Sequence, residues 1–474
     1  MTRDMSSTTA RVLKALSVFG GVQVIGILCS VVRTKLAALW LGPVGVGMLA
    51  IFNSTLDLIS QTTQLNIQQS AVRDLAACRA NPHESAVLTA AVRRLSLLLG
   101  IAAMIALAIL SPLVSRWTFG DSSHALSYVA LSVWLLFIAV GGTEMAIMRA
   151  NDRLAPLARA SIFTAVTGVV SAVPLFYFFR LGAVVPVLLV YAMSQCVYSL
   201  VFAAPRVRVS LSLGEVWRRM RGVLSLGFYM TVSTSVTLLA SNIFVVWLNR
   251  SVSEADVGFY QAGYTIINTY VGMIFTAIAM EYYPRLSAVG SSVRRMEPLV
   301  SHEIKIALWV LIPVVVLFIC LSSLIVRILY SPAFEVSLPF VLYGAGGVFF
   351  RAASWCLAYT ILARGDGRMF ILTEVSSAVI FLALYIPMFR AFGYEGLGIA
   401  YVLWYAAYFA VTYAVFRFRY GMRLRKGIAM LLCLAVAVGG ATLALYHAIG
   451  PWWTLCVMLP PAAWMSYGRL RRRR

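Results

Sequence analysis

Five polar residues share one face of an otherwise apolar segment. Asn53, Asp57, Gln61, Gln64 and Gln68 step by four, four, three and four, which is helical spacing. Ser54, Thr55, Ser60, Thr62, Thr63 and Asn66 make the same stretch more polar still. Such a face is costly against lipid. Two readings stand: it lines a water-filled cavity, or it hydrogen-bonds to a neighbouring helix. Asp57 sits near the middle of the segment, where an ionisable side chain is a functional candidate by default. It is a candidate for holding a coupling cation or proton, or for pairing with an arginine. Asn53, Gln61 and Gln64 are candidates for contact with a polar substrate.

Arg351 is twelve residues from either end of an apolar segment over 339–363. That is about 18 Å of helix on each side at ~1.5 Å per residue, too deep for easy snorkelling. A guanidinium there needs a carboxylate or a bound anion, and its two parallel donors suit phosphate. An ion pair with Asp57 or another acid is the structural alternative. Arg33 and Lys35 close the first apolar segment. Either they snorkel to the interface, or they form the cationic outer mouth of a cavity. Glu144 and Glu374 lie about one turn inside the opposite boundary. They are candidates for ion coupling, or they pair with Arg149 and Arg368; Glu281 carries the same two readings.

The remaining chemistry is sparse. No Walker A loop is present, and the four histidines, His83, His124, His302 and His447, are scattered without a paired-His metal motif. The seven cysteines fall mostly within apolar runs and lack zinc-ligand spacing. Neither a metal, a cofactor nor a catalytic constellation is implied.

The elements that must position these residues follow from composition. The 474 residues are 61% hydrophobic and 12% charged, against roughly 25% charged in a soluble domain. Spans are expected at 12–33, 45–67, 86–110, 125–148, 156–179, 183–204, 223–248, 259–283, 304–328, 339–363, 369–390, 396–416, 427–449 and 452–467. The fold class is therefore all-α and polytopic, with 12–14 membrane helices and no room for a sizeable soluble domain. Lys14 ahead of an apolar run resembles the start of a signal peptide. But Leu13–Val32 is long enough to span and many spans follow, so it reads as a first, uncleaved helix.

Lys and Arg cluster in every second gap between spans. Of the 39, all but Arg33, Lys35, Arg116, Arg180, Arg250, Arg327, Arg351 and Arg390 fall there or at the termini. Loops on the cytoplasmic side carry this excess, so both termini are expected in the cytoplasm. The net charge of +22 is thus a matter of topology and anionic lipid, and nucleic acid is not an expected partner. Arg116, Arg180, Arg250, Arg327 and Arg390 read as outer helix ends.

A weak internal repeat divides the chain. Val44-Gly45 matches Val257-Gly258 at an offset of 213, and Arg149-x-Asn151-Asp152-Arg153 resembles Arg364-x-Asp366-Gly367-Arg368 at 215. Tyr191 and Tyr198 match Tyr401 and Tyr408 at 210. Two six-helix lobes are expected, 1–210 and 211–420, with two further helices and a basic tail over 421–474. Six is even, so the lobes are parallel repeats with the substrate path expected between them.

Arg33-x-Lys35 is followed by Leu41-Gly42-Pro43-x-Gly45-x-Gly47, then by Val257-Gly258-x-Tyr260-Gln261-Ala262, then by Tyr282-Tyr283-Pro284-Arg285-Leu286-Ser287. Ala363-Arg364-Gly365 with Phe370 and Glu374, and the glycines of Tyr394-x-Gly396-x-Gly398, continue the series. In this order the stretches resemble Wzx-type polysaccharide flippases of the multidrug/oligosaccharidyl-lipid/polysaccharide exporter superfamily. The resemblance covers roughly residues 10–420 and is greatest to O-antigen and lipid III flippases. It implies a two-lobed bundle around a central cationic cavity. It also implies transport of an undecaprenyl-diphosphate-linked oligosaccharide across the bacterial inner membrane by alternating access, often coupled to an ion gradient. Membrane lipids and the polysaccharide polymerase and chain-length machinery are the other partners it implies. A small-molecule exporter of the same superfamily is the alternative, and a membrane glycosyltransferase is disfavoured by the short outer gaps.

Overall fold

The computed structural model describes residues 2–78, 81–203, 213–270, 292–425 and 427–471, with 272, 275, 282, 285, 286 and 289 between them. Every regular element among these residues is helical. Among the described residues, nine helical stretches are long and apolar enough to cross a membrane, or ten if one bent pair counts as a single span. Two of the nine, Leu154–Val201 and Gly367–Arg419, each contain an internal break. The chain is a multi-pass, all-α membrane protein.

Two compact units are present: Met1–Leu238 with Val245–Val257, and Leu239–Phe244 with Gly258–Arg474. In the first, α1 (Thr2–Trp40), α2 (Gly42–Thr63), α3 (Ile67–Ala77), α4 (Pro82–Phe119), α5 (Ala125–Ala150), α6 (Leu154–Phe179) and α7 (Val184–Val201) follow in order. Helix α8 (Leu213–Ser251) comes next, then α9 (Glu254–Tyr264). The second unit contains α10 (Val293–Leu329), α11 (Leu338–Gly344), α12 (Gly347–Ala363), α13 (Gly367–Ala414), α14 (Ile428–Ile449) and α15 (Pro451–Arg471).

Three expectations need adjustment. The expected outer gap at 111–124 is mostly helix, because α4 runs through Pro112 to Phe119 and leaves a loop closed by Gly120. The expected span at 45–67 ends in a break: Leu65 and Asn66 are both left-handed, at φ +48°. Beyond the break, Ile67, Ala71 and Leu75 of α3 pack against Ala91, Val92, Leu95, Ile147 and Ala150. The spacing of four puts those three on one face of a short amphipathic helix. The expected continuous span at 339–363 is two helices, bent by 59° between Gly344 and Gly347. Arg351 therefore sits about one turn from a bend, not at the centre of a straight helix.

Helix α13 joins the two expected spans at 369–390 and 396–416. They meet at Gly393, whose φ of +57° and ψ of −133° lie in a region open essentially to glycine. At its other end Asp366 accepts from the Met369 amide at 3.3 Å, an N-cap. Asp366 also accepts from the Tyr420 hydroxyl at 3.2 Å. Burial and the Asp366 charge push that hydroxyl up to about 12, so it stays a donor throughout the physiological range.

Two helix crossings are too close to admit a side chain. A Cβ on Gly141 of α5 would meet Cys196 Cα of α7 at 3.1 Å, and one on Gly347 of α12 would meet Val402 Cα of α13 at 3.1 Å. Both pairs are related by an offset of 206. Small residues allow such backbone approach between membrane helices. The tyrosine offset of 210 differs from this by four residues, about one turn. The paired tyrosines thus share a helix face and differ by a turn in level.

Candidate functional site

In the second unit, Arg351 projects from α12 toward the π-helical turn Thr265–Tyr270 and toward α13. Its Nη1 donates to the Asn268 carbonyl at 2.9 Å and to the Tyr401 hydroxyl at 3.5 Å. The guanidinium carbon lies 5.2 Å from the Phe275 ring centroid and 5.8 Å from that of Tyr405. A Cβ on Gly272 would come within 3.2 Å of Nη2, so the missing side chain makes room for the charge. Among the described residues of this unit, no carboxylate pairs with Arg351. A carbonyl, a hydroxyl and two ring faces position the cation without neutralising it. It lines a cavity of about 340 Å³ with Ser354, Trp355, Tyr359, Glu374, Tyr405 and Tyr408.

The first unit holds a second arginine-lined cavity, of about 360 Å³. Arg33 and Arg149 both line it, with Gln23, Ser30, Ser161, Thr164, Tyr191 and Gln195 and, among the described residues, no acidic side chain. The Arg33 guanidinium lies over the Tyr191 ring at 4.7 Å. Gly168 backs both: a Cβ there would be 2.9 Å from Tyr191 Cδ2 and 3.9 Å from Arg33 Nη1. Arg33 is thus placed in a cavity, because α1 continues past it to Trp40. Lys35 is half-buried and is not among the lining side chains.

The polar face of the second span divides. Gln64 is buried and donates to Ser60 Oγ at 2.8 Å, while Gln68 donates to Gln64 Oε1 at 2.8 Å and to the Ile138 carbonyl at 3.4 Å. This end of the face holds α2, α3 and α5 together, which is the inter-helix reading. Asn53 and Gln61 are half-buried and Asp57 is exposed. They form the accessible part.

The acids have other partners than Arg149 and Arg368. Glu144 receives two hydrogen bonds from Arg93, at 2.6 and 2.7 Å, a bidentate pair. Glu374 accepts from the Tyr408 hydroxyl at 2.7 Å. Glu281 lies outside the described residues. Arg149, whose place in a basic gap marks it as topology and as a partner for Glu144, lines the cavity instead. Tyr191 and Tyr401, which the sequence offers only as repeat markers, each contact their unit's cavity arginine.

This bundle of two helical units is the fold of the multidrug/oligosaccharidyl-lipid/polysaccharide exporter superfamily. The chain belongs to the family described as polysaccharide biosynthesis protein, which it matches over residues 21–339. It is 23% identical to the lipid III flippase of Escherichia coli strain K12 over 81% of this chain and 92% of that one. It is 22% identical to a putative O-antigen transporter of Shigella flexneri over 76% and 87%. Among solved structures, an inward-facing multidrug resistance MATE family transporter of the MOP superfamily superposes with a TM-score of 0.71 at 13% identity, covering 84% of this chain and 94% of that one. The lipid II flippase MurJ in an inward closed conformation gives 0.69 at 13%, covering 97% and 99%.

Proposed function

We propose that the chain is a flippase of the bacterial inner membrane that moves an undecaprenyl-diphosphate-linked oligosaccharide, such as an O-antigen-type repeat unit, by alternating access. The observation that carries this reading is a cavity arginine in each unit without a carboxylate partner among the described residues of that unit. A diphosphate entering hydrocarbon needs fixed cations, and the guanidinium fork suits its oxygens. Arg351 and Arg33 supply them, with Lys35 nearby on α1. Gln23, Ser30, Ser161, Thr164 and Gln195 offer the neutral donors and acceptors that sugar hydroxyls require. Asn53 and Gln61 extend that polar surface; Gln64 supports it from behind.

Asp57 and Glu374 are the proposed ion-coupling groups, since both are accessible or cavity-lining. Glu144 serves through its pair with Arg93. The names of the relatives support the substrate class, and the basic gaps support cytoplasmic termini. The undecaprenyl tail remains in lipid, and the polymerase and chain-length machinery receives the product.

The test is complementation of a strain lacking the chain. Arg351→Ala should abolish surface polysaccharide and accumulate the lipid-linked precursor at normal protein levels. Full activity of that variant would sink the role of Arg351. Unchanged polysaccharide with lost drug tolerance in the deletion strain would instead favour the small-molecule exporter.

A further inference from the structure

The segment between α13 and α14 docks on α10 in a regular pattern. Arg423 N donates to Glu297 at 3.1 Å, and Arg425 N donates to Ser301 Oγ at 3.4 Å. Residues four apart on a helix are separated by about 6 Å, and residues two apart in extended chain by about 6.6 Å. The two repeats therefore run in step. The next step would join Lys305 to Gly427, and there the pattern changes. The helix presents an ammonium, with Nζ 4.0 Å from where a Gly427 Cβ would stand, and the Gly427 amide turns back to the Arg425 carbonyl at 3.0 Å. A cavity of about 370 Å³ opens at this point, lined by Ser301, His302, Lys305 and Arg425.

All four lining side chains are polar, and two of them, Lys305 and Arg425, are fixed cations. Below the cavity, α14 carries an apolar face. Met430 and Leu434 are three and seven residues beyond Gly427, within about 60° of its direction on the helix, and they are 77% and 38% exposed. A basic pocket thus sits directly above an exposed apolar strip.

We infer that this cavity binds the phosphoryl headgroup of an anionic phospholipid, with Lys305 and Arg425 on the phosphate and the acyl chains along Met430 and Leu434. Basic pockets between membrane helices take such headgroups. The ligand completes the third step of the docked segment and fastens the start of α14 to α10. The site is separate from the cavities of Arg351 and Arg33, so it stands or falls apart from the transport reading.

The full chain in nanodiscs of phosphatidylcholine, with and without phosphatidylglycerol, tests it by native mass spectrometry and thermal unfolding. Phosphatidylglycerol should be retained and raise the unfolding temperature. K305Q/R425Q should weaken retention about tenfold, while R327Q, in the last turn of α10 at its opposite end, should leave it unchanged. Photoactivatable phosphatidylglycerol on the unaltered chain should label 301–305 and 425–434, a readout that needs no variant. Equal retention by K305Q/R425Q, or labelling confined to other segments, would overturn the inference. Stabilisation by inorganic phosphate alone to the same extent would assign the cavity to a free anion instead.

Discussion

Arg33 and Tyr191 come from helices α1 and α7, yet the guanidinium carbon of one stands 4.7 Å above the ring of the other. The ring face holds the charge in place and leaves its donors directed at the cavity. Tyr191→Phe keeps the ring and should retain transport. Tyr191→Leu removes an interaction of about 0.5–2 kcal/mol and should reduce precursor binding roughly tenfold. Equal activity of the two variants in a reconstituted flipping assay would argue against this placement.

Gly272 separates stability from function. Ala at a helical position is favoured over Gly by about 1 kcal/mol, but its Cβ would press on Arg351 Nη2 at 3.2 Å. Gly272→Ala should therefore melt at the same temperature or higher while losing transport. A variant that transports normally would show that the guanidinium can shift without consequence.

The Arg93–Glu144 pair should behave as a buried ion pair. Glu144 is 3% exposed and Arg93 18%. Glu144→Ala leaves a cation among packed helices and should cost about 3–5 kcal/mol, read as a fall in unfolding temperature. Arg93→Met with Glu144→Met should recover most of the loss. Purely additive effects in that cycle would count against coupling.

Gly393 sets the break in α13. A side chain at φ +57° and ψ −133° is strained by about 1–3 kcal/mol. Gly393→Val should lower the unfolding temperature, whereas Gly440→Ala, with nothing within 4 Å of its Cβ, should not. Similar melting of both would remove the special role of the break.

Helix existence was legible because apolar runs and basic gaps are long-range, redundant signals. Arg351 stood out for the same reason: apolar sequence surrounds it on both sides. Arg33 was harder to read, because its own charge suggested a helix end, and α1 in fact extends to Trp40. Partners across helices were not legible. Glu144 finds Arg93 51 positions away through the rotation of α4 against α5. That rotation is fixed by contacts such as Thr143 donating to Ser96 Oγ at 2.6 Å, which no local spacing encodes. The left-handed turn at Leu65 and Asn66, just beyond Gln64, and the division of the polar face, with Gln64 inside and Asp57 outside, are features that periodicity alone does not predict.

That turn has a mechanical consequence. Where the main chain leaves its helical ladder, Ser60, Gln64 and Gln68 carry the connection in side-chain bonds, and Gln68 is anchored to the Ile138 carbonyl. A swivel of α2 about α3 works against the Gln68–Gln64 bond that bridges the two helices, so the joint is restrained by a pair of glutamines.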